Sequence, residues 1–172
     1  VEDLKDMKAR IEGALAGARS KGVNVKLGRG GIREIEFVIQ SLQLVHAGKD
    51  ERIRERNSLR ALRCLAETRY LAAEEGERLS AAYRFLRDVE HKIQLVDERQ
   101  TRVIPADAEE LHLARRLGYA RGEPSAALQR FRDDCRRYMD AVYASFRTLF
   151  YSSRQAIGRE TDARLAGLLA EL

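Results

Sequence analysis

The sequence lacks tryptophan altogether and holds only 2 cysteines and 2 prolines among 172 residues. Cys64 and Cys135 stand far apart, with no CxxC spacing and no histidine pair nearby. That arrangement excludes a disulfide scaffold and gives no zinc pattern. Two free thiols suit a reducing cytosol, so a cytoplasmic location is expected. Aromatics are scarce at 6%, and 12 glycines with 2 prolines leave too few turn formers for a β-sandwich or barrel. No apolar run approaches the roughly 18 residues of a membrane helix, and the start does not read as a signal peptide. The chain begins at Val1 and runs straight into a helical pattern, which reads as a piece of a longer protein.

What is present is a charged, helix-forming chain. Apolar residues make up 44% and charged residues 34%, enough for a core in about one domain. The 32 basic residues exceed 27 acidic ones, for a net charge of +5, and 26 of the basic residues are arginine. Arginine is the better fork for phosphate and carboxylate, so a nucleic-acid or nucleotide partner comes under consideration. Interleaved acids at i,i+4 spacing account for most of these arginines as solvated helix faces. No reading helix or aromatic platform is evident, so neither nucleic acid nor membrane is expected as a partner.

Periodicity predicts an all-α bundle of about five to seven helices, with one long C-terminal helix and a glycine-rich loop before the second helix. Leu4, Met7, Ile11, Leu15 and Ala18 mark a first helix over 2–19. Val23, Val25 and Leu27 alternate with Asn24 and Lys26, which suggests a short extended segment. A second helix runs from about Ile32 to Ala47. A third, capped by Asn57 or Ser58, ends near Ala73. Leu79, Tyr83, Leu86, Val89, Ile93 and Val96 form the ladder of a fourth, from near Gly76 to about Arg99. Asp107 opens a short helix through Leu117. Pro124 then starts the long one, whose stripe of Leu128, Phe131, Cys135, Tyr138, Val142, Ser145 and Leu149 lasts to about Ser153. Residues 1–153 are therefore expected to form the bundle, with Gly158 interrupting the tail and 154–172 a short helix or linker.

The stretch Val25–Phe37 is the most informative. Gly28-Arg29-Gly30-Gly31 feeds a helix N-terminus, with cations at Lys26, Arg29 and Arg33. Free N–H groups and the positive end of a helix dipole attract anions, phosphate above all. The loop matches neither GxxxxGK[ST] nor GxGxxG. A tight turn with a charged rim is the other reading of the same residues. On the helix that follows, Arg33, Glu36, Gln40 and Gln43 make one polar stripe on an otherwise apolar surface, facing a cleft, another domain or ordinary solvent. A second ridge carries Arg84, Arg87, His91 and Gln94, with Glu90 beside it. A lone histidine with no partner acid in motif spacing reads as structural. His46 and His112 are given no role. No GxSxG, HExxH or EF-hand pattern occurs, and neither a catalytic residue nor a metal ligand is assigned in this chain.

Lys26–Phe37, with Lys-Leu-Gly-Arg-Gly-Gly-Ile-Arg-Glu-Ile-Glu-Phe, resembles a signature of bacterial glutamine synthetase adenylyltransferases, bifunctional adenylyl-transferring and adenylyl-removing enzymes. Tyr83–Gln94 is similar to that family's Leu-Arg-x-Ile/Leu-Glu-x-x-x-Gln helix, and Gln100–Pro105 fits its usual ending. The resemblance covers about residues 5–150. It implies a helical domain that follows a nucleotidyltransferase domain, here of the adenylyl-removing half, because Arg33 stands where the transferring half tends to differ. That half is expected to remove AMP from a tyrosine of glutamine synthetase by phosphorolysis, yielding ADP, under control of the PII signal protein and glutamine. The similar helical domain of PII uridylyltransferase is the nearest alternative; a module that docks PII or links catalytic halves is another.

The resemblance also implies Mg2+ and ATP, ADP or phosphate in the parent enzyme. Lys26, Gly28, Arg29, Gly30, Gly31 and Arg33 would contact phosphate, supported by Glu34, Glu36, Arg87, Glu90, His91 and Gln94. The family's metal-binding Asp-x-Asp after a glycine pair is absent here, so the chain is expected to be inactive alone.

Overall fold

The computed structural model describes residues 22–96, 103–105 and 107–170, with side chains through Phe150. The expected first helix over 2–19 lies outside the described residues, as do Gln100–Arg102 of the third motif. Five helices and no strand occur among the described residues, as expected for an all-α bundle: α1 Ile32–His46, α2 Ser58–Glu67, α3 Ala73–Val96, α4 Asp107–Arg116 and α5 Pro124–Ala170.

α3 is the spine and packs against all four others, while α5 lies across α1, α3 and α4. The periodic stripes meet in one core. Ile35 and Val38 of α1, Leu62 and Leu65 of α2, Leu79, Leu86 and Val89 of α3, Leu113 of α4 and Phe131 and Val142 of α5 are all buried. Tyr119, in the turn after α4, meets Phe131 edge-on at 5.6 Å between centroids and donates to Asp134 at 2.5 Å. One aromatic thus fixes two elements at once.

Helix ends follow local chemistry. Asn57 caps α2 by accepting from Arg60 N–H at 3.1 Å. α2 stops at Glu67, short of the expected Ala73: Thr68 Oγ1 donates back to the Cys64 carbonyl at 2.6 Å, and Arg69 turns left-handed at φ 62°. α3 accordingly opens at Ala73, three residues before Gly76. α5 continues past Ser153 and through Gly158 to Ala170. A single glycine costs a helix only about 1 kcal/mol, and the alanines, leucines and arginines around it are good helix formers.

The otherwise apolar surface of α1 is buried over its N-terminal part, whereas Leu44 and Val45 at its C-terminal end are exposed. Its polar stripe divides. Arg33 and Gln40 face solvent, whereas Gln43 Nε2 donates to the carbonyls of Ile53 and Glu55 at 2.7 and 2.8 Å. Those bonds tie α1 to the 3-10 turn Glu51–Ile53. Gln43→Ala would leave both carbonyls without this donor, at a cost of about 1.5 kcal/mol. A fall in melting temperature of roughly 3–6 °C is expected; a calorimetric midpoint within 1 °C of wild type would discard the role of these bonds.

Candidate functional site

The segment before α1 is a coiled turn and not the extended piece that alternation suggested. Asn24 Oδ1 accepts from the N–H groups of Lys26 and Leu27 at 3.1 and 2.8 Å, and its carbonyl accepts from Gly28 at 2.8 Å. A side chain that satisfies two local amides turns the backbone where alternating apolar residues alone would extend it. Only Asn24 keeps a strand-like contact, an isolated antiparallel bridge to Val103.

The loop then closes on itself. The N–H groups of Gly31, Ile32, Arg33 and Glu34 donate to the carbonyls of Gly28, Val25, Lys26 and Gly31 at 2.9–3.1 Å. The first turn of α1, where orphan donors normally gather, is therefore served from within the chain. The expectation of free N–H groups at this helix end is corrected accordingly: an anion at this corner would meet side chains.

The glycines have a packing reason. A Cβ on Gly30, whose φ is +73°, would overlap the Met139 carbonyl of α5. On Gly31 it would lie 2.7–2.9 Å from the carbonyl oxygens of Lys26, Gly28 and Val25, and on Gly28 it would overlap the carbonyl of Asn24. Backbone meets backbone at three of the loop's four positions, which only glycine allows.

Glu34, 3% exposed, belongs to the same knot. Burial pushes its carboxyl above the ordinary range, opposed by the Gly30 N–H it accepts and by the charge of Arg29. Such an acid binds its proton more tightly folded than unfolded, so acidification through the raised value strengthens the fold at this position.

The cations take three different stations. Lys26 Nζ lies 3.2 Å from Glu90 Oε1, and Arg87 Nη1 donates to Glu90 Oε2 at 2.6 Å. Glu90 is 2% exposed, so a buried carboxylate on α3 joins the two sequence blocks. Arg29 lies 4.1 Å over the Tyr143 ring and reaches Asp140 at only 3.5 Å. Arg33 is exposed and forms no ion pair among the described residues. Glu36 is half-buried, and His91 and Gln94 are exposed. Asp140 and Tyr143 of α5 were absent from the sequence reading; nothing at their positions marks them as partners of a loop 111 residues earlier.

Fold and corner together define a helical module whose glycine loop locks onto two helices and holds a group of cations on its rim. The family model described as GlnD PII-uridylyltransferase matches residues 4–150. The chain belongs to that family. Its relatives include proteins named bifunctional glutamine synthetase adenylyltransferase/adenylyl-removing enzyme. The one from Ralstonia nicotianae is 43% identical over 123 residues, 70% of this chain and 13% of the relative. The one from Hahella chejuensis is 38% identical over 176 residues, covering 99% and 18%; that from Rhizobium meliloti is 48% identical over 102 residues, covering 59% and 10%. The chain thus spans less than a fifth of the length of these relatives.

Proposed function

We propose that this chain is the helical domain beside a nucleotidyltransferase domain in a bifunctional glutamine synthetase adenylyltransferase/adenylyl-removing enzyme, serving the adenylyl-removing half. The loop corner forms one wall of the transfer cleft. The observation that carries this reading is the Lys26–Glu90–Arg87 cluster, which joins the two motif blocks next to a loop bearing Arg29 and Arg33. The names of the relatives favour glutamine synthetase over PII as the modified protein. PII, glutamine synthetase and the adjoining domain are the partners this reading expects, in the cytoplasm. Residues 154–172 lead from the bundle toward a further domain in this reading, with 154–170 a continuation of α5.

The chemistry of this wall is charge placement. Glu90 holds Lys26 and Arg87 together, leaving the trio one positive charge in excess. Arg33, without a counter-ion among the described residues, is the cation best able to take a phosphate oxygen. Attack of inorganic phosphate on an adenylyl phosphorus forms a new P–O bond, releases the tyrosine oxygen and yields ADP. Negative charge on the equatorial oxygens in that step is what cations on a rigid loop stabilise. Mg2+ in the parent enzyme does not fit these residues. Glu90 is taken up by Lys26 and Arg87, Glu34 accepts from the Gly30 N–H while its Oε2 is buried without a partner, and no group of three His, Cys, Asp or Glu converges among the described residues. Metal and catalysis are accordingly assigned to the adjoining domain, and the chain by itself is inactive in this reading.

Arg33→Ala in the full-length enzyme tests it. Phosphate-dependent formation of ADP from adenylylated glutamine synthetase should fall about tenfold in kcat/KM, roughly 1.4 kcal/mol of transition-state stabilisation, while adenylyl transfer stays within twofold. Unchanged phosphorolysis would remove Arg33 from the cleft. Loss of both activities would reject assignment to one half.

A further inference from the structure

A cavity of about 360 Å³ opens between α5, the start of α4 and the segments around Val23 and Ile104. It shares Arg29 with the loop corner, together with Met139 and Asp140 of α5, against which that loop packs. Its floor is apolar: Ile104, Phe131 and Cys135 are nearly inaccessible, with Met139 beside them. Burial pushes the Cys135 thiol up to about 12, aided by the charges of Glu110 and Asp134, so the floor carries no thiolate at neutral pH.

Three guanidiniums stand on the rim, each with a carboxylate beside it: Arg132 with Glu110, Arg29 with Asp140 and Arg136 with Asp133. Arg132 is held by Glu110 through Nε at 2.9 Å. Arg29 and Arg136 are more loosely held. The first reaches Asp140 at 3.5 Å and the second Asp133 at 3.2 Å, and both side chains are about two-thirds exposed. Phe131, Arg132, Cys135, Arg136, Met139 and Asp140 recur along one face of α5, so floor and rim are presented together by one rigid helix.

We propose that this cavity is a binding site for a small organic anion with an apolar body, its charged end between Arg29 and Arg136 and its body on Phe131, Cys135 and Ile104. A cation would meet the exposed guanidiniums of Arg29 and Arg136 at the mouth. A bare inorganic anion would leave the apolar floor unfilled. The volume lies at the small end of ligand pockets, roughly 300–1,000 Å³. An anion entering here competes with Asp140 for Arg29, which couples occupancy to the glycine loop. The inference stands on the cavity alone, independently of the transfer reaction.

Hydrogen exchange read by mass spectrometry on the full-length protein decides it, with naphthalene-2-sulfonate as the probe and 2-naphthalenemethanol as its neutral counterpart. The sulfonate should slow exchange in peptides covering 22–31 and 131–140, with a dissociation constant on the order of 0.1 mM. The alcohol should not. Arg136→Glu should weaken binding at least about tenfold, while Arg78→Ala, whose partner Glu75 lies on α3, should leave it unchanged. Equal protection by the alcohol, protection elsewhere only, or retained binding in Arg136→Glu would each overturn the proposal.

Discussion

Gly30→Ala is expected to lower the melting temperature by roughly 6–12 °C, the larger of two effects centred on the loop. The backbone there sits at φ +73°, a conformation costing an L-residue about 1–2 kcal/mol. The added methyl would also overlap the Met139 carbonyl. That oxygen belongs to the middle of a long helix and cannot swing aside as a side-chain tip would. Parting loop from helix adds about 1–3 kcal/mol of overpacking, for a total of about 2–5 kcal/mol, and a central value of about 3 kcal/mol at roughly 2–4 °C per kcal/mol for a domain of this size gives that fall. Two further glycines separate the causes. Gly122 has φ +85° and open space around it, so Gly122→Ala should show the strain alone, about 1–2 kcal/mol. Gly48 has neither positive φ nor neighbours, and Gly48→Ala should be near neutral. If Gly30→Ala destabilises no more than Gly122→Ala, the close approach of loop and α5 is wrong.

What was legible beforehand follows from the range of each interaction. The helical stripes were readable because a buried helix face repeats every three or four residues whatever it packs against. Leu79, Leu86, Val89 and Ile93 appear in the core as the ladder places them. The turn at Asn24 was not, because Val23, Val25 and Leu27 alternate as a strand does; one asparagine side chain outweighs that pattern by capturing two amides. The length of α5 is not legible either, because its stripe fades at about Ser153 while the helix itself runs on through Gly158 to Ala170. At the site, both blocks were visible as residue types. Their junction through Lys26 and Glu90 was not, since an ion pair 64 positions apart leaves no spacing to read. The same holds for Arg29, whose partners Asp140 and Tyr143 sit on a helix with no motif of its own. The glycine loop is legible as residue types, whereas the close backbone packing on Met139 and on the loop's own carbonyls that demands these glycines is not.

Glu90→Gln should cost the fold about 2–3 kcal/mol. Glutamine keeps the shape of the side chain and removes the charge that two cations share. Stripping one partner from a fully buried pair costs about 3–5 kcal/mol. Here Lys26 is 23% and Arg87 48% exposed, so both regain some water and the figure is reduced. Lys26→Met should cost less, about 1 kcal/mol, since Arg87 continues to serve Glu90 and the lysine stem is replaced by apolar volume. The double variant discriminates the pair from two independent losses. If the ion pair binds loop to α3, the single effects fail to add by 0.5 kcal/mol or more in denaturant titrations. Additive effects, or a Glu90→Gln protein within 0.5 kcal/mol of wild type, would mean that loop and helix are held by their apolar contacts alone. The proposed transfer cleft gives a second readout in the full-length enzyme. Glu90→Gln frees Lys26 from its carboxylate without moving Arg33, so an intact fold with altered phosphate dependence would place the cluster on the wall of the cleft, and unchanged kinetics would confine it to structure.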